Sequence, residues 1–144
     1  MVEIVSKCRA ALNGYQKGRC FYCGVGISID TGDPDVADVD HFVPFSLQAY
    51  FGELDLDGLW NLVLACVRCN RRKRHSLAPK QFLTRVDARN EWLLASHRPL
   101  RPTLICITGS SPTARRRFLQ AVYQEAEEHT RRIWEPQNVG PDFI

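Results

Sequence analysis

Two cysteine pairs, Cys20-x-x-Cys23 and Cys66-x-x-Cys69, limit what this 144-residue chain can fold into. Each pair has the spacing that aims two sulfurs at one ion, and Gly24 after the first lets the backbone turn tightly there. The stretch between them lacks regular apolar periodicity, so a shared metal would explain how it holds its shape. Six cysteines can also signal a disulfide framework in a secreted chain. Against that, Glu3, Lys7 and Arg9 interrupt any apolar stretch at the start, so no signal-peptide pattern opens the sequence. The longest apolar run, Leu62 to Val67, is far too short to span a membrane. The expectation is a cytoplasmic, reduced chain with no membrane partner, holding structural Zn2+ on Cys20, Cys23, Cys66 and Cys69.

The length fits one domain in three parts: a helix within residues 1–19, a zinc-stapled core over 20–75 and a mainly helical extension over 76–144. Ile4, Val5, Cys8, Leu12 and Tyr15 repeat at helical spacing, which places Cys8 on an apolar stripe. Val36 to Val43 alternates like a short strand that Pro44 closes, and Leu62 to Ala65 reads as a second strand. A helix from Cys66 to Arg74 follows. The acidic stretch from Asp30 to Asp38 does not fit a calcium loop and reads as exposed. Further on, one helix ends before Pro99, an extended connector over Thr103 to Thr108 buries Cys106, and Ser111-Pro112 starts a last helix. The tail from Pro136 reads as irregular. The fold class is α+β.

Charge is divided unevenly. Residues 1–60 carry four basic and nine acidic side chains, whereas residues 61–144 carry fifteen basic and seven acidic. The basic excess can face a polyanion, and Arg68, Arg71, Arg72, Lys73 and Arg74 are the candidates to touch a nucleic-acid backbone. At helical spacing Arg68, Arg71 and Arg72 share one face, while Lys73 and Arg74 point elsewhere. Arg115-Arg116-Arg117 reads equally well as a solvated helix face or as phosphate contacts.

Between the cysteine pairs stand Asp40-His41 and Asn61, and Asn70 follows the second pair directly. Asp40 offers a carboxylate and Asn70 a carbonyl oxygen, ligands suited to a hard divalent cation such as Mg2+ or Mn2+. His41 offers an imidazole, which in its neutral form can take a proton from water. Neighbours on a strand point to opposite faces, so Asp40 and His41 converge only if the backbone turns near Pro44.

In this order the residues Cys20-Phe-Tyr-Cys23-Gly24, Val39-Asp40-His41-Phe-Val-Pro44 and Trp60-Asn61-Leu-Val-Leu-Ala-Cys66-Val-Arg-Cys69-Asn70-Arg-Arg-Lys73 resemble the HNH endonucleases and their ββα-metal core. The resemblance spans roughly residues 20 to 75 and points to the family's zinc-stapled subset. It implies metal-dependent hydrolysis of DNA phosphodiesters leaving 5′-phosphate and 3′-hydroxyl ends. His41 would be the general base, Asp40 and Asn70 the catalytic metal ligands, and Asn61 the residue holding the His41 loop. Asn70 stands where many members have histidine. The alternative is a non-catalytic, zinc-dependent nucleic-acid-binding module, which would have no use for Asp40 beside His41. The helical extension could join a second copy or a partner protein.

Overall fold

The computed structural model describes residues 2–143, with side chains from Cys8 to Phe143. Its elements are α1 (Val2–Gln16), β1 (Asp38–His41), β2 (Leu62–Ala65), α2 (Val67–Lys73), α3 (Leu83–Ser96), α4 (Arg101–Thr108) and α5 (Pro112–His129). Among the described residues no helix is long and apolar enough to cross a membrane. The apolar stripe expected on α1 is buried at Leu12 and Tyr15, and Cys8 is partly buried against the core. Ile4 and Val5 lie outside the described side chains.

β1 and β2 form an antiparallel pair with Asp38 opposite Ala65 and His41 opposite Leu62. A two-stranded sheet leaves the outer edge of β2 open, and side chains close it. The buried amide of Gln16 donates to Leu64 O at 2.7 Å and accepts from Leu64 N at 2.9 Å. Arg89, fully buried on α3, donates to Leu62 O at 2.5 Å and reaches Trp60 O and Leu59 O at 3.2 and 3.3 Å. A guanidinium has five donors in a rigid fork, so one side chain satisfies a run of carbonyls that no strand covers. Burial lowers its pKa to about 10, still well above neutrality.

The extension packs back on this core. Phe21, Tyr22, Phe42, Phe82 and Trp134 are buried together, with Tyr22 edge-on to Phe82 at 5.2 Å and to Trp134 at 5.1 Å. The tail has no regular structure but is held. Arg85 donates to Phe21 O at 2.6 Å and to Gly140 O at 2.7 Å, and Gly140 N donates to Tyr22 O at 2.9 Å. A Cβ on Gly140 would stand 2.7 Å from Gly24 N, so only glycine lets the tail lie on the knuckle.

Two expectations for the extension are corrected. Residues Arg101–Thr108 form α4, not an extended connector, and Cys106 is exposed rather than buried. β-branched Thr103, Ile105, Ile107 and Thr108 suggest a strand, but Pro102 is tolerated in a helix's first turn. The buried residues Leu104 and Thr108 are four apart, which is a helical interval. Gly109, at φ 132°, then ends the helix. α5 begins at the expected cap, where Ser111 Oγ accepts from Ala114 N at 3.1 Å.

Candidate active site

The four cysteines converge. Their sulfurs all lie within 4.8 Å of one another, and the Cys23 and Cys66 sulfurs are 3.8 Å apart. Four ligands at about 2.3 Å from a tetrahedral zinc would be about 3.8 Å from each other, so the donor set fits that ion. Turns shape both pairs. Gly24, at φ 79°, closes the first knuckle with its N–H on Cys20 O at 3.0 Å. Cys66 caps α2, its sulfur accepting from Cys69 N at 3.4 Å, while Cys20 Sγ accepts from Cys66 N at 3.3 Å. Such N–H···S contacts favour thiolate. A hydrogen bond from Cys69 holds the Cys20 thiol down to about 5, whereas burial pushes Cys66 up to about 11. The same Cys20 contact, with burial, raises Cys69 strongly.

Asp40, His41 and Asn70 line one cavity of about 340 Å³, together with Val39, Pro44, Phe45, Ser46, Arg74 and His75. Asp40 and His41 are neighbours on β1, yet both reach it because His41 is the last strand residue and the chain bends at Phe42 and Val43. Asn61 holds that bend. Its buried Oδ1 accepts from Val43 N at 2.8 Å, and its Nδ2 donates to Val43 O at 3.0 Å and Leu56 O at 2.9 Å. A larger cavity of about 520 Å³ lies beside the knuckle between Val25, Pro34 and Arg68.

The surroundings of Asp40 show what its motif leaves out. It is 5% exposed, accepts from the Tyr22 hydroxyl at 2.7 Å and pairs with Lys73 Nζ at 3.2 Å. Lys73 also donates to His41 O at 2.8 Å. Burial lowers the Lys73 pKa against the pull of the Asp40 carboxylate. The place of Lys73 among the nucleic-acid contacts is therefore corrected: the residue is 0% exposed and its charge is spent inside the core. α2 is short and carries Arg68, Arg71 and Arg72 on its exposed side, so Lys73 on the opposite side must face the sheet. Arg74 is exposed, with φ 49° and ψ −121°.

Asn70 points its amide nitrogen at Asp38 Oδ2, 3.0 Å away, which turns its carbonyl oxygen elsewhere. Asp38 is two residues before Asp40, on the same face of β1, and that alternation is the signal that could have brought it into the site. His41 Nε2 lies 2.6 Å from Asp57 Oδ1, and the His41 ring stands 5.3 Å from Phe45. Nothing local in the sequence marks Tyr22, Lys73 or Asp57, whose partners are sixteen or more residues away. Arg115 is bound bidentately by Glu91 at 3.0 Å, and Arg116 faces Asp87 at 3.6 Å.

A family model of the HNH endonucleases matches residues 20–78. That segment is similar to the HNH endonucleases. The matched residues hold both cysteine pairs, both strands and α2, so the HNH segment coincides with the zinc-compatible ββα core. No curated protein matches the chain. Among solved structures it is similar to the Type II-C Cas9 enzyme from Actinomyces naeslundii, at 20% identity and a TM-score of 0.43. That likeness covers 90% of this chain and 15% of the Cas9 chain.

Proposed function

We propose that this chain is a metal-dependent DNA endonuclease whose HNH segment hydrolyses one phosphodiester at a time. The observation that carries the reading is the single cavity shared by Asp40, His41 and Asn70. A carboxylate, an amide oxygen and an imidazole at one opening are what hydrolysis of a phosphate diester needs. Asp40 and Asn70 would hold a divalent cation, and an all-oxygen donor set favours Mg2+ or Mn2+. Bound there, a cation neutralises phosphate charge and stabilises the departing oxygen. A carboxylate offers about four acceptor directions, so Tyr22 and Lys73 leave Asp40 with capacity for another partner.

The chain's own residues do the rest. His41, with 27% of its side chain exposed, can take a proton from a water in the cavity. Asn61 fixes the bend through which Asp40 and His41 reach one opening. Four cysteines, holding zinc, tie the knuckle at Cys20 and Cys23 to the start of α2, and thereby place Asn70. Arg68, Arg71, Arg72 and Arg74 would meet the DNA backbone around the cavity, contacts that position without reading bases.

Incubation of supercoiled plasmid with magnesium or manganese tests the reading. Nicked circles with 3′-hydroxyl and 5′-phosphate ends are expected from the wild type, and none from His41→Ala at equal DNA affinity. Cleavage by His41→Ala at the wild-type rate would remove the general-base role. DNA binding without cleavage in any divalent metal would leave a zinc-dependent binding module.

A further inference from the structure

Asp57 lies outside every motif, in the connector between β1 and β2, yet its carboxylate is the partner of the His41 ring at 2.6 Å. We infer that Asp57 is a positioning residue for His41, holding the imidazole with Nε2 protonated so that Nδ1 receives the proton of the attacking water. The inference rests on His41 being the general base.

A neutral imidazole has one donor nitrogen and one acceptor nitrogen, and the bond made by one decides the role of the other. A carboxylate only accepts, so Nε2 must carry hydrogen when it meets Asp57 Oδ1. Nδ1 is then the one ring atom with a lone pair. As the water oxygen bonds to phosphorus, its proton passes to Nδ1 and the bond from phosphorus to the leaving oxygen breaks. The resulting imidazolium faces the Asp57 carboxylate and later gives its proton to solvent. Phe45, 5.3 Å from the ring, limits where the imidazole can swing, and Asp57 sets its rotation.

Asp57 is not a loosely held surface acid, although its side chain is 42% exposed. Its own N–H donates to Asp55 Oδ1 at 2.8 Å, and Trp60 Nε1 donates to Asp55 O at 3.2 Å. On its other side Leu56 is held twice, its N–H by Gln48 Oε1 at 2.8 Å and its carbonyl by Asn61 Nδ2 at 2.9 Å. Gly58 follows, where a Cβ would stand 2.6 Å from Trp60 Nε1. The segment that presents Asp57 is thus pinned by Asn61, the residue that also pins the His41 bend. One amide sets both halves of the pair.

The test is single-turnover plasmid nicking by wild type, Asp57→Ala, Asp57→Asn, Asp57→Glu, His41→Ala and the His41→Ala/Asp57→Ala double variant. Loss of Asp57 should slow cleavage by on the order of 10- to 100-fold, less than the roughly 10⁴-fold of a buried triad aspartate because this one meets solvent. DNA affinity should be unchanged, Asp57→Glu should recover part of the rate, and Asp57→Ala should have no further effect once His41 is gone. Nitrogen NMR of the His41 ring should show Nε2–H in the wild type and a tautomer mixture in Asp57→Asn. Wild-type cleavage by both Asp57→Ala and Asp57→Asn, or an equal loss in the His41→Ala background, would overturn the inference. A His41→Ala variant that cuts normally would instead sink the general-base reading itself.

Discussion

Lys73 shows how one residue can carry two loads. Its ammonium neutralises the buried Asp40 carboxylate and binds the His41 carbonyl, so it ties together both halves of the Asp-His dipeptide. Replacing it with methionine would leave Asp40 buried beside Tyr22 without a counter-charge. Breaking such a pair costs about 3–5 kcal/mol, and Lys73→Met should lose that much in chemical denaturation. Adding Asp40→Asn should restore part of it, because no buried charge then remains. Arg74 presents the opposite case. Its φ of 49° with ψ −121° is backbone that glycine adopts far more easily, and it sits at the rim of the cavity that Asp40, His41 and Asn70 line. Arg74→Gly should raise the thermal midpoint by relieving strain of order 1 kcal/mol while weakening DNA binding. A variant neither more stable nor weaker in binding would show that Arg74 is an ordinary turn residue. These residues also mark what a linear reading could reach. The helical interval set Lys73 apart from Arg68, Arg71 and Arg72, but a run of five basic residues reads as one solvated cluster. Only the short α2 packed on a sheet shows that the odd member is buried.

At the level of elements, β1, β2 and α2 were legible because spacing constrains them. Cysteine pairs must turn to reach one ion, and an alternating run closed by Pro44 must be a strand end. α4 was not, since β-branched residues with a leading proline look extended until Leu104 and Thr108 are seen packed together. Buried Arg85 and Arg89 were missed for a related reason: a charge on a helix is ordinarily solvated, and the carbonyls they serve lie on other elements. α2 carries two testable loads. Its exposed Arg71 and Arg72 should each account for roughly 0.9 units of the slope of log affinity against log salt, so Arg71→Ala/Arg72→Ala should flatten it accordingly on any DNA sequence. At its start, Cys66 and Cys69 belong to the cysteine tetrad that fits zinc. Chelation, or Cys66→Ser, should lower the thermal midpoint and not merely the cleavage rate, as calorimetry would show. The sign with pH follows from burial pushing the Cys66 thiol up to about 11. Zinc must displace that proton, so apparent affinity should fall as pH falls, with protons released on loading in unbuffered titration.

Across the whole molecule, the extension completes the ββα core as much as it adds to it. Arg85 clamps the tail against the knuckle, Trp134 packs edge-on to Tyr22, and Tyr22 holds Asp40. A route of direct contacts therefore runs from the C-terminal segment to the Asp40 carboxylate. Arg89 links the core to α3, and Arg89→Met should leave the carbonyl of Leu62 unpaired and take one of two donors from those of Leu59 and Trp60. At roughly 1–3 kcal/mol for each buried group left unsatisfied, such a loss is a large share of the total for a domain of this size. Urea titration would read it as a lower midpoint. Gln16 and Arg89 do something else together. By occupying the outward groups of Leu64 and Leu62, they act as a selvedge, the finished border that keeps woven cloth from taking another thread. A second chain cannot add a strand there without first displacing two buried side chains, so strand addition is resisted at that border of β2.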